Sequence, residues 1–249
     1  MNIHTIILAA GKGTRMNTNL PKVMQPLGGQ TLISHVIKTA KVSSKDITII
    51  VGHQKDLLKE HIASIDPNIQ TTEQNEQLGT AHAVKTASHL IKDDEKVLIL
   101  YGDVPLISSE TIETLINSEQ DCTLLSMKLN DPTGYGRIMT DDENLATRII
   151  EQKDASEDER KIQEVFTGIL LIDGSLLRPA LEEINNQNAA NEFYLTDLVE
   201  ILSAKGVKIN CIQADPAEVV GANNKHELHE LESILRKMSA EKLLEQGIT

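Results

Sequence analysis

Short apolar runs alternate with helical patterns along most of this chain, and that alternation leaves few folds open. Ile3 to Ala9 is apolar and partly β-branched, and glycines close it, so it reads as a strand buried on both faces. After a loop from Ala10 to Gly29, Thr31 can cap a helix whose apolar positions Leu32, Ile33, Val36, Ile37 and Ala40 keep helical spacing. Ile47 to Val51 resumes as a strand. Helical patterns near Lys55 to Ala63 and Thr80 to Ile91 precede a strand at Lys96 to Tyr101, and a helix near Ser109 to Asn117 precedes a strand at Cys122 to Met127. Strands that alternate with helices need right-handed crossovers, which predicts an α/β fold with a mostly parallel central sheet flanked by helices.

The style changes after Leu129. Gly134, Gly136, an acidic loop around Asp141 to Asn144 and paired β-like stretches at Leu145 to Gln152 and Ile162 to Ile172 predict a small β insertion over one sheet end. From Asn224 to about Gln246 the chain is polar, with Leu228, Leu231, Leu235 and Met238 at three- and four-residue steps. That is the stripe of an amphipathic helix, with no obvious stop. No internal repeat or low-complexity tract is visible. A length of 249 residues then divides most simply into one domain at 1–223 and a terminal helix at 224–249.

Charge and aromatic content remove one class of partner. A net charge of −13 and only five aromatic residues provide neither the basic footprint nor the stacking side chains of a nucleic-acid binder. The N-terminus has no basic leader segment, and no apolar stretch is long enough to span a bilayer, so the expectation is a cytoplasmic protein without a membrane partner. Cys122 and Cys211 sit in short apolar runs without a Cys-x-x-Cys pair and read as two buried free thiols in a reducing compartment.

The strongest local signal is Leu8-Ala9-Ala10-Gly11-Lys12-Gly13-Thr14-Arg15-Met16, followed by Pro21-Lys22. A glycine-rich turn just past a strand exposes backbone N–H groups in a concavity suited to phosphate, and Arg15 and Lys22 add two cations. It is not a Walker loop, because no Gly-Lys-Ser/Thr closes a four-residue spacer. Nor is it the dinucleotide fingerprint, because Met16 stands in place of the third glycine. Asp103 follows the strand that ends at Tyr101, at the sheet edge where α/β proteins bind ligands.

Leu8 to Met16 with Pro21-Lys22 resembles the signature loop of sugar-nucleotide pyrophosphorylases, which join a nucleoside triphosphate to a sugar 1-phosphate. Further motifs appear in that family's order: Glu76 to Ala83, Tyr101-Gly102-Asp103-Val104-Pro105-Leu106, Pro132 to Arg137, Glu151 to Ala155, Glu192 to Asp197 and Gly221-Ala222-Asn223-Asn224. Together they are similar to the uridyltransferase domain of the bifunctional bacterial N-acetylglucosamine-1-phosphate uridyltransferase/glucosamine-1-phosphate acetyltransferase family. That resemblance implies a Rossmann-like nucleotide-diphospho-sugar transferase fold. It also implies Mg²⁺-dependent transfer from UTP to N-acetylglucosamine 1-phosphate, giving UDP-N-acetylglucosamine and pyrophosphate for peptidoglycan and lipopolysaccharide precursors. The sequence stops near Ala240 to Leu244, where the family's linker helix leads into an acetyltransferase β-helix. The expectation is therefore that the second activity is absent and that the chain is a monomer or weak oligomer.

The resemblance also assigns roles. Arg15, Lys22 and Asp103 are catalytic, and Asp103 and Asn223 hold the metal. Either Asn223 or Asn224 could instead cap the last helix. The substrates are implied to meet Leu8, Ala9, Ala10, Gly11, Gly13, Thr14 and Lys22, then Gln74, Gln77, Gly79 and Thr80 on the base side, and also Tyr101, Gly102, Asp103 and Asn223. Gly136, Glu151, Phe166 and Thr196 fall to the sugar. At Phe166 the chain departs from the family, which carries an Asn directly before Thr167-Gly168. An apolar ring cannot replace that amide's hydrogen bond. A nucleotide-sugar sensor without turnover, or a transferase for another sugar or base, therefore stands beside the main reading. His226-Glu227-Leu228-His229-Glu230 is no zinc helix, since its second His is one residue early. The acidic runs Asp93 to Glu95 and Glu157 to Glu159 read as exposed loops.

Overall fold

The computed structural model describes residues 2–16 and 18–248. β1 (Ile3–Ala9) leads through 3₁₀ turns at Thr14–Met16 and Lys22–Met24 to a small hairpin, β2 (Pro26–Leu27) and β3 (Gln30–Thr31). Then follow α1 (Leu32–Ser43), β4 (Asp46–Val51), α2 (Lys55–Ile65), β5 (Gln70–Glu73), α3 (Thr80–Thr86), β6 (Lys96–Tyr101), α4 (Ser109–Ile116) and β7 (Cys122–Lys128). The remainder is β8 (Arg137–Thr140), β9 (Ala146–Ile150), β10 (Glu164–Asp173), α5 (Gly174–Glu183), α6 (Asp197–Ala204), β11 (Ile209–Gln213), α7 (Pro216–Val219) and α8 (Lys225–Glu245).

The main sheet runs β11-β7-β10-β6-β1-β4-β5. β1 pairs in parallel with β4 and β6, as do β4 with β5 and β7 with β11; β10 alone runs antiparallel to its neighbours β6 and β7. All of β1 is buried because its alternate residues supply two cores. Ile6 and Leu8 face α3, α5 and α6, whereas Ile7 and Ala9 face α1, α2 and α4. Thr31 does cap α1, its Oγ1 accepting from the Ser34 N–H at 3.2 Å. From β1 the chain builds outward through β4 to β5 and then returns to place β6 on the other side of β1. That reversal marks the crevice between the carboxyl ends of β1 and β6 as the place where such sheets bind ligands.

Five expectations need correction. Ile162 to Ile172 does not pair with Leu145 to Gln152 in an insertion. Val165 through Ile172 are all buried, a run that needs cover on both faces, and so β10 crosses the main sheet between β7 and β6. The insertion is instead the β8–β9 hairpin, joined to β10 at Val165 opposite Arg137. The helix expected over Thr80 to Ile91 ends at Thr86 and tightens into a 3₁₀ turn at Ser88–Leu90, after which Ile91 enters the core. Glu95 is not on an exposed loop: it is 3% exposed and its Oε1 accepts from the Lys92 N–H and lies 3.1 Å from His4 Nδ1. Cys211 is only half-buried, although burial pushes both its thiol and that of Cys122 up to about 12, leaving them unreactive.

The fifth correction concerns the end of α8, which has a stop. Gly247 adopts φ +76 and donates to the Leu244 carbonyl, while Ile248 donates to the Leu243 carbonyl, the double bond of a Schellman turn. The first two-thirds of α8 is packed against the domain by Leu228, Leu231, Ile234, Leu235 and Met238 on Met16, Leu27, Leu32 and Leu106. Among the described residues, no helix is long and apolar enough to cross a membrane.

Candidate functional site

The glycine loop lies where β1 ends. Gly13 needs to be glycine for two reasons: its φ is +58, and a Cβ would stand 2.5 Å from Lys22 Cβ. That close approach presses the loop onto Pro21-Lys22. Met16, which takes the place of a third glycine, is 0% exposed and anchors the far end of the loop against Leu27, Leu32 and Leu231. Around Gly11, by contrast, there is open space.

Three short connections bring four charged or polar side chains to this loop. The Gly102 N–H donates to the Leu8 carbonyl at 2.9 Å and the Val104 N–H to the Tyr101 carbonyl at 3.1 Å, so the turn after β6 sets Asp103 beside the end of β1. The Ala222 N–H donates to the Asp103 carbonyl at 3.3 Å and draws in Asn223. Lys22 Nζ then forms an ion pair with Asp103 Oδ2 and donates to Asn223 Oδ1 at 2.8 Å. Arg15 Nη2 donates to the same Asn223 oxygen at 3.0 Å. Of the adjacent pair, Asn224 is the cap: its Oδ1 accepts from the His226 and Glu227 N–H groups, both at 2.9 Å.

Two oxygens, Asp103 Oδ2 and Asn223 Oδ1, thus converge on one cationic group. Among the described residues there is no cluster of three or more His, Cys, Asp or Glu side chains able to cage a metal. A carboxylate with one amide oxygen fits a hard cation that takes its other ligands from phosphate and water.

Leu8, Ala9, Ala10, Gly11, Lys22, Gln74, Gln77, Gly79, Thr80, Tyr101, Asp103 and Asn223 line one cleft of about 390 Å³. Gln74 is only 4% exposed; its Nε2 donates to the Gly79 carbonyl at 2.9 Å, which turns its amide oxygen the other way. Gln77 Nε2 donates to the Gln74 carbonyl at 3.3 Å. Thr80 does not cap α3: Gly79 is the cap residue, and Thr80 Oγ1 accepts from the Leu195 N–H at 3.0 Å. Gly102 is buried and not among the residues lining the cleft; a Cβ there would stand 2.9 Å from Ile33 Cδ1, in the core. Val23, Ala83 and Glu192 also line the cleft; Ala83 and Glu192 lie at the edges of the motifs Glu76 to Ala83 and Glu192 to Asp197, where the resemblance assigns them no contact, and Val23 carries no signal of its own.

The four residues assigned to the sugar form a neighbouring cluster. Thr196 Oγ1 donates to Glu151 Oε1 at 3.0 Å, a Cβ on Gly136 would lie 3.7 Å from that oxygen, and the Phe166 N–H donates to the Gly136 carbonyl at 2.9 Å. Phe166 is 6% exposed, its ring in the same core cluster as Ile149 and Leu195. Burial pushes the Glu151 carboxyl up, with the Thr196 hydroxyl opposing. Glu151 lines a second cavity of about 530 Å³, together with Asp154, Tyr194 and Asp197.

In that cavity burial, reinforced by Glu200 and Glu151, pushes Asp197 up to about 6. A carboxyl raised above its unfolded value of 3.8 favours the folded state less as pH climbs through the interval between the two values. Asp197→Asn is therefore expected to raise the melting temperature at pH 8 by about 2 to 4 °C and to leave it unchanged at pH 4. Thermal melts at the two pH values check this; an equal shift at both would remove charge as the cause.

Residues 5–195 match the family described as the MobA-like NTP transferase domain. Over its whole length the chain is 45% identical to the Bifunctional protein GlmU of Idiomarina loihiensis and 44% identical to that of Hydrogenovibrio crunogenus. These alignments take in 100% of this chain and 55% and 56% of the relatives, so the chain spans about half the length of the curated relatives it matches. A solved structure from Bacillus anthracis, assigned as a glucose-1-phosphate thymidylyltransferase in complex with a sucrose, superposes with a TM-score of 0.73. It covers 94% of this chain and 95% of its own at 20% identity, which establishes a shared fold. With the glycine loop, all of the cleft except Asn223 and most of the sheet inside the matched span, the chain belongs to the MobA-like NTP transferase domain family and is a nucleotidyltransferase.

Proposed function

We propose that the domain transfers a uridylyl group from UTP to N-acetylglucosamine 1-phosphate, releasing pyrophosphate and giving UDP-N-acetylglucosamine. The observation that carries this reading is the convergence of Lys22, Arg15, Asp103 and Asn223 beside the glycine loop at the mouth of the cleft. The motif resemblance supplies the uracil and the acetamido sugar.

A sugar 1-phosphate is ionised at pH 7, so its oxygen attacks the α-phosphorus without a general base, and catalysis reduces to positioning and charge neutralisation. Backbone N–H groups from Gly11 to Thr14 cradle the triphosphate. Lys22 and Arg15 leave the Asn223 oxygen for phosphate oxygens, stabilising charge on the α-phosphate and on the departing pyrophosphate. Asp103 and Asn223 hold Mg²⁺, whose contribution is to neutralise phosphate charge. Gln74 and Gly79 read the base edge, and Glu151, Thr196 and Gly136 face the sugar. A net charge of −13 does not oppose a polyanionic substrate, because distant carboxylates are screened within about 10 Å at 0.1 M salt.

Phe166 favours one variation, a different sugar 1-phosphate. Its ring is closed into the core and has no polar atom to offer a hydroxyl. Pyrophosphate release measured with UTP across N-acetylglucosamine, glucose and galactose 1-phosphates decides the matter. The expected result is the highest kcat/KM for the N-acetylglucosamine ester; Phe166→Asn sets an amide among Ile149 and Leu195 and should lower the melting temperature, and unchanged sugar ratios in it would place position 166 outside the sugar pocket. A higher kcat/KM for another sugar would replace the substrate. Tight UDP-sugar binding with no turnover at any Mg²⁺ concentration would replace the enzyme with a sensor.

A further inference from the structure

Asn223 is held from behind by a residue that does not itself line the cleft. Glu227 Oε2 accepts from the Asn223 backbone N–H at 2.8 Å and from Asn223 Nδ2 at 3.0 Å, while its Oε1 accepts from Asn224 Nδ2. A side-chain amide has two nearly identical orientations, and its neighbours decide between them. Here both sides agree. Glu227 can only accept and therefore takes the NH₂ end; Lys22 and Arg15 can only donate and take the oxygen. Glu227 is itself fixed by the turn that opens α8, where its N–H donates to Asn224 Oδ1 at 2.9 Å.

We propose that Glu227 is a positioning residue for the metal site: by holding the Asn223 amide with its oxygen toward Asp103, it makes Asn223 a cation ligand. This rests on the reading that Asp103 and Asn223 hold the metal. Without the Glu227 acceptors only Lys22 and Arg15 favour the oxygen-inward orientation, and a cation that displaces them meets an amide whose NH₂ end faces it for part of the time. The first turn of the last helix then contributes to the active site through side-chain orientation and not only through packing.

The test is Mn²⁺ titrated into the purified chain, with free Mn²⁺ counted by electron paramagnetic resonance, alongside a thermal melt of each variant. Asp103→Ala defines the site and should abolish the bound ion. Glu227→Ala and the shape-preserving Glu227→Met should each weaken Mn²⁺ binding roughly tenfold, the lower range for groups that orient a metal ligand. Glu227→Gln keeps an oxygen to accept from Asn223 and should stay within about threefold of the parent, the rescue that separates orientation from charge. Asn224→Ala removes the helix cap and both hydrogen bonds between Asn224 and Glu227 but keeps the two Asn223–Glu227 bonds, so it should lower the melting temperature while weakening Mn²⁺ binding less than Glu227→Met does. The inference is overturned if Glu227→Met binds Mn²⁺ like the parent, or if Asn224→Ala weakens binding as much as Glu227→Met. If Asp103→Ala itself binds normally, the metal reading fails first.

Discussion

Asp103→Ala is expected to lower kcat/KM for pyrophosphate release by roughly 10² to 10³-fold, the cost of removing one fixed charge from where a transition state gathers charge. The argument starts from the backbone. Asp103 is set by the Gly102 and Val104 hydrogen bonds at the end of β6 and by the Ala222 hydrogen bond from the opposite side, so its carboxylate has little freedom to lie elsewhere. Gly221 packs against it so closely that a Cβ there would stand 3.2 Å from the Asp103 carbonyl. The carboxylate is 17% exposed and its partner Lys22 15% exposed, so both charges are largely shielded from water. Removing Asp103 leaves Lys22 bonded to Asn223 and draws the ammonium away from where phosphate enters. Asp103→Asn keeps the shape without the charge and should recover little. Lys22 is left largely shielded without its counter-charge, which costs about 1 to 3 kcal/mol, so the melting temperature should fall by several degrees while turnover collapses. Full turnover in Asp103→Ala would remove the metal assignment.

How far the sequence carried depended on whether a residue's role was local. The strand Ile3 to Ala9 and the loop to Lys22 were legible because a doubly buried strand and a Gly-x-Gly turn announce themselves within a dozen residues. Of Asn223 and Asn224, the second is the cap and the first bonds Lys22 and Arg15, a division that spacing alone could not make. β10 was misplaced because periodicity shows that a run is buried but not which strands bury it; its antiparallel entry between β7 and β6 is a long-range fact. Glu95 belonged to an acidic run that reads as solvated, and only the distant His4, on the neighbouring strand, shows why it is buried. Glu227 had a signal, since Asn224 and Glu227 stand at the spacing of a capping box. Its reach to Asn223 did not follow from that spacing.

Gly79→Ala is expected to destabilise the fold by about 3 kcal/mol, about 6 to 12 °C in melting temperature for a chain of this size, and to weaken UTP binding. Two independent costs add at this position. The backbone φ is +124, a conformation that any Cβ strains, and an ideal Cβ would stand 2.4 Å from the Phe193 carbonyl oxygen and 2.6 Å from its nitrogen. Those neighbours are backbone and cannot rotate aside. They are also hydrogen-bonded to this segment, since the Phe193 N–H donates to the Leu78 carbonyl at 2.7 Å and the Ala81 N–H to the Phe193 carbonyl at 2.9 Å. Relief therefore means separating the two loops, and each leads to part of the site. On one side the Gly79 carbonyl orients Gln74; on the other, two residues past Tyr194, Thr196 bonds Glu151. Gly29→Ala isolates the first cost, because φ there is +83 with open space around the added carbon, and it should lose only about 1 kcal/mol. Thermal melts of both variants with calorimetric UTP titration read the difference. Equal losses at Gly79 and Gly29 would mean that the Phe193 backbone gives way, and that the junction between the base and sugar halves of the site is softer than its hydrogen bonds imply.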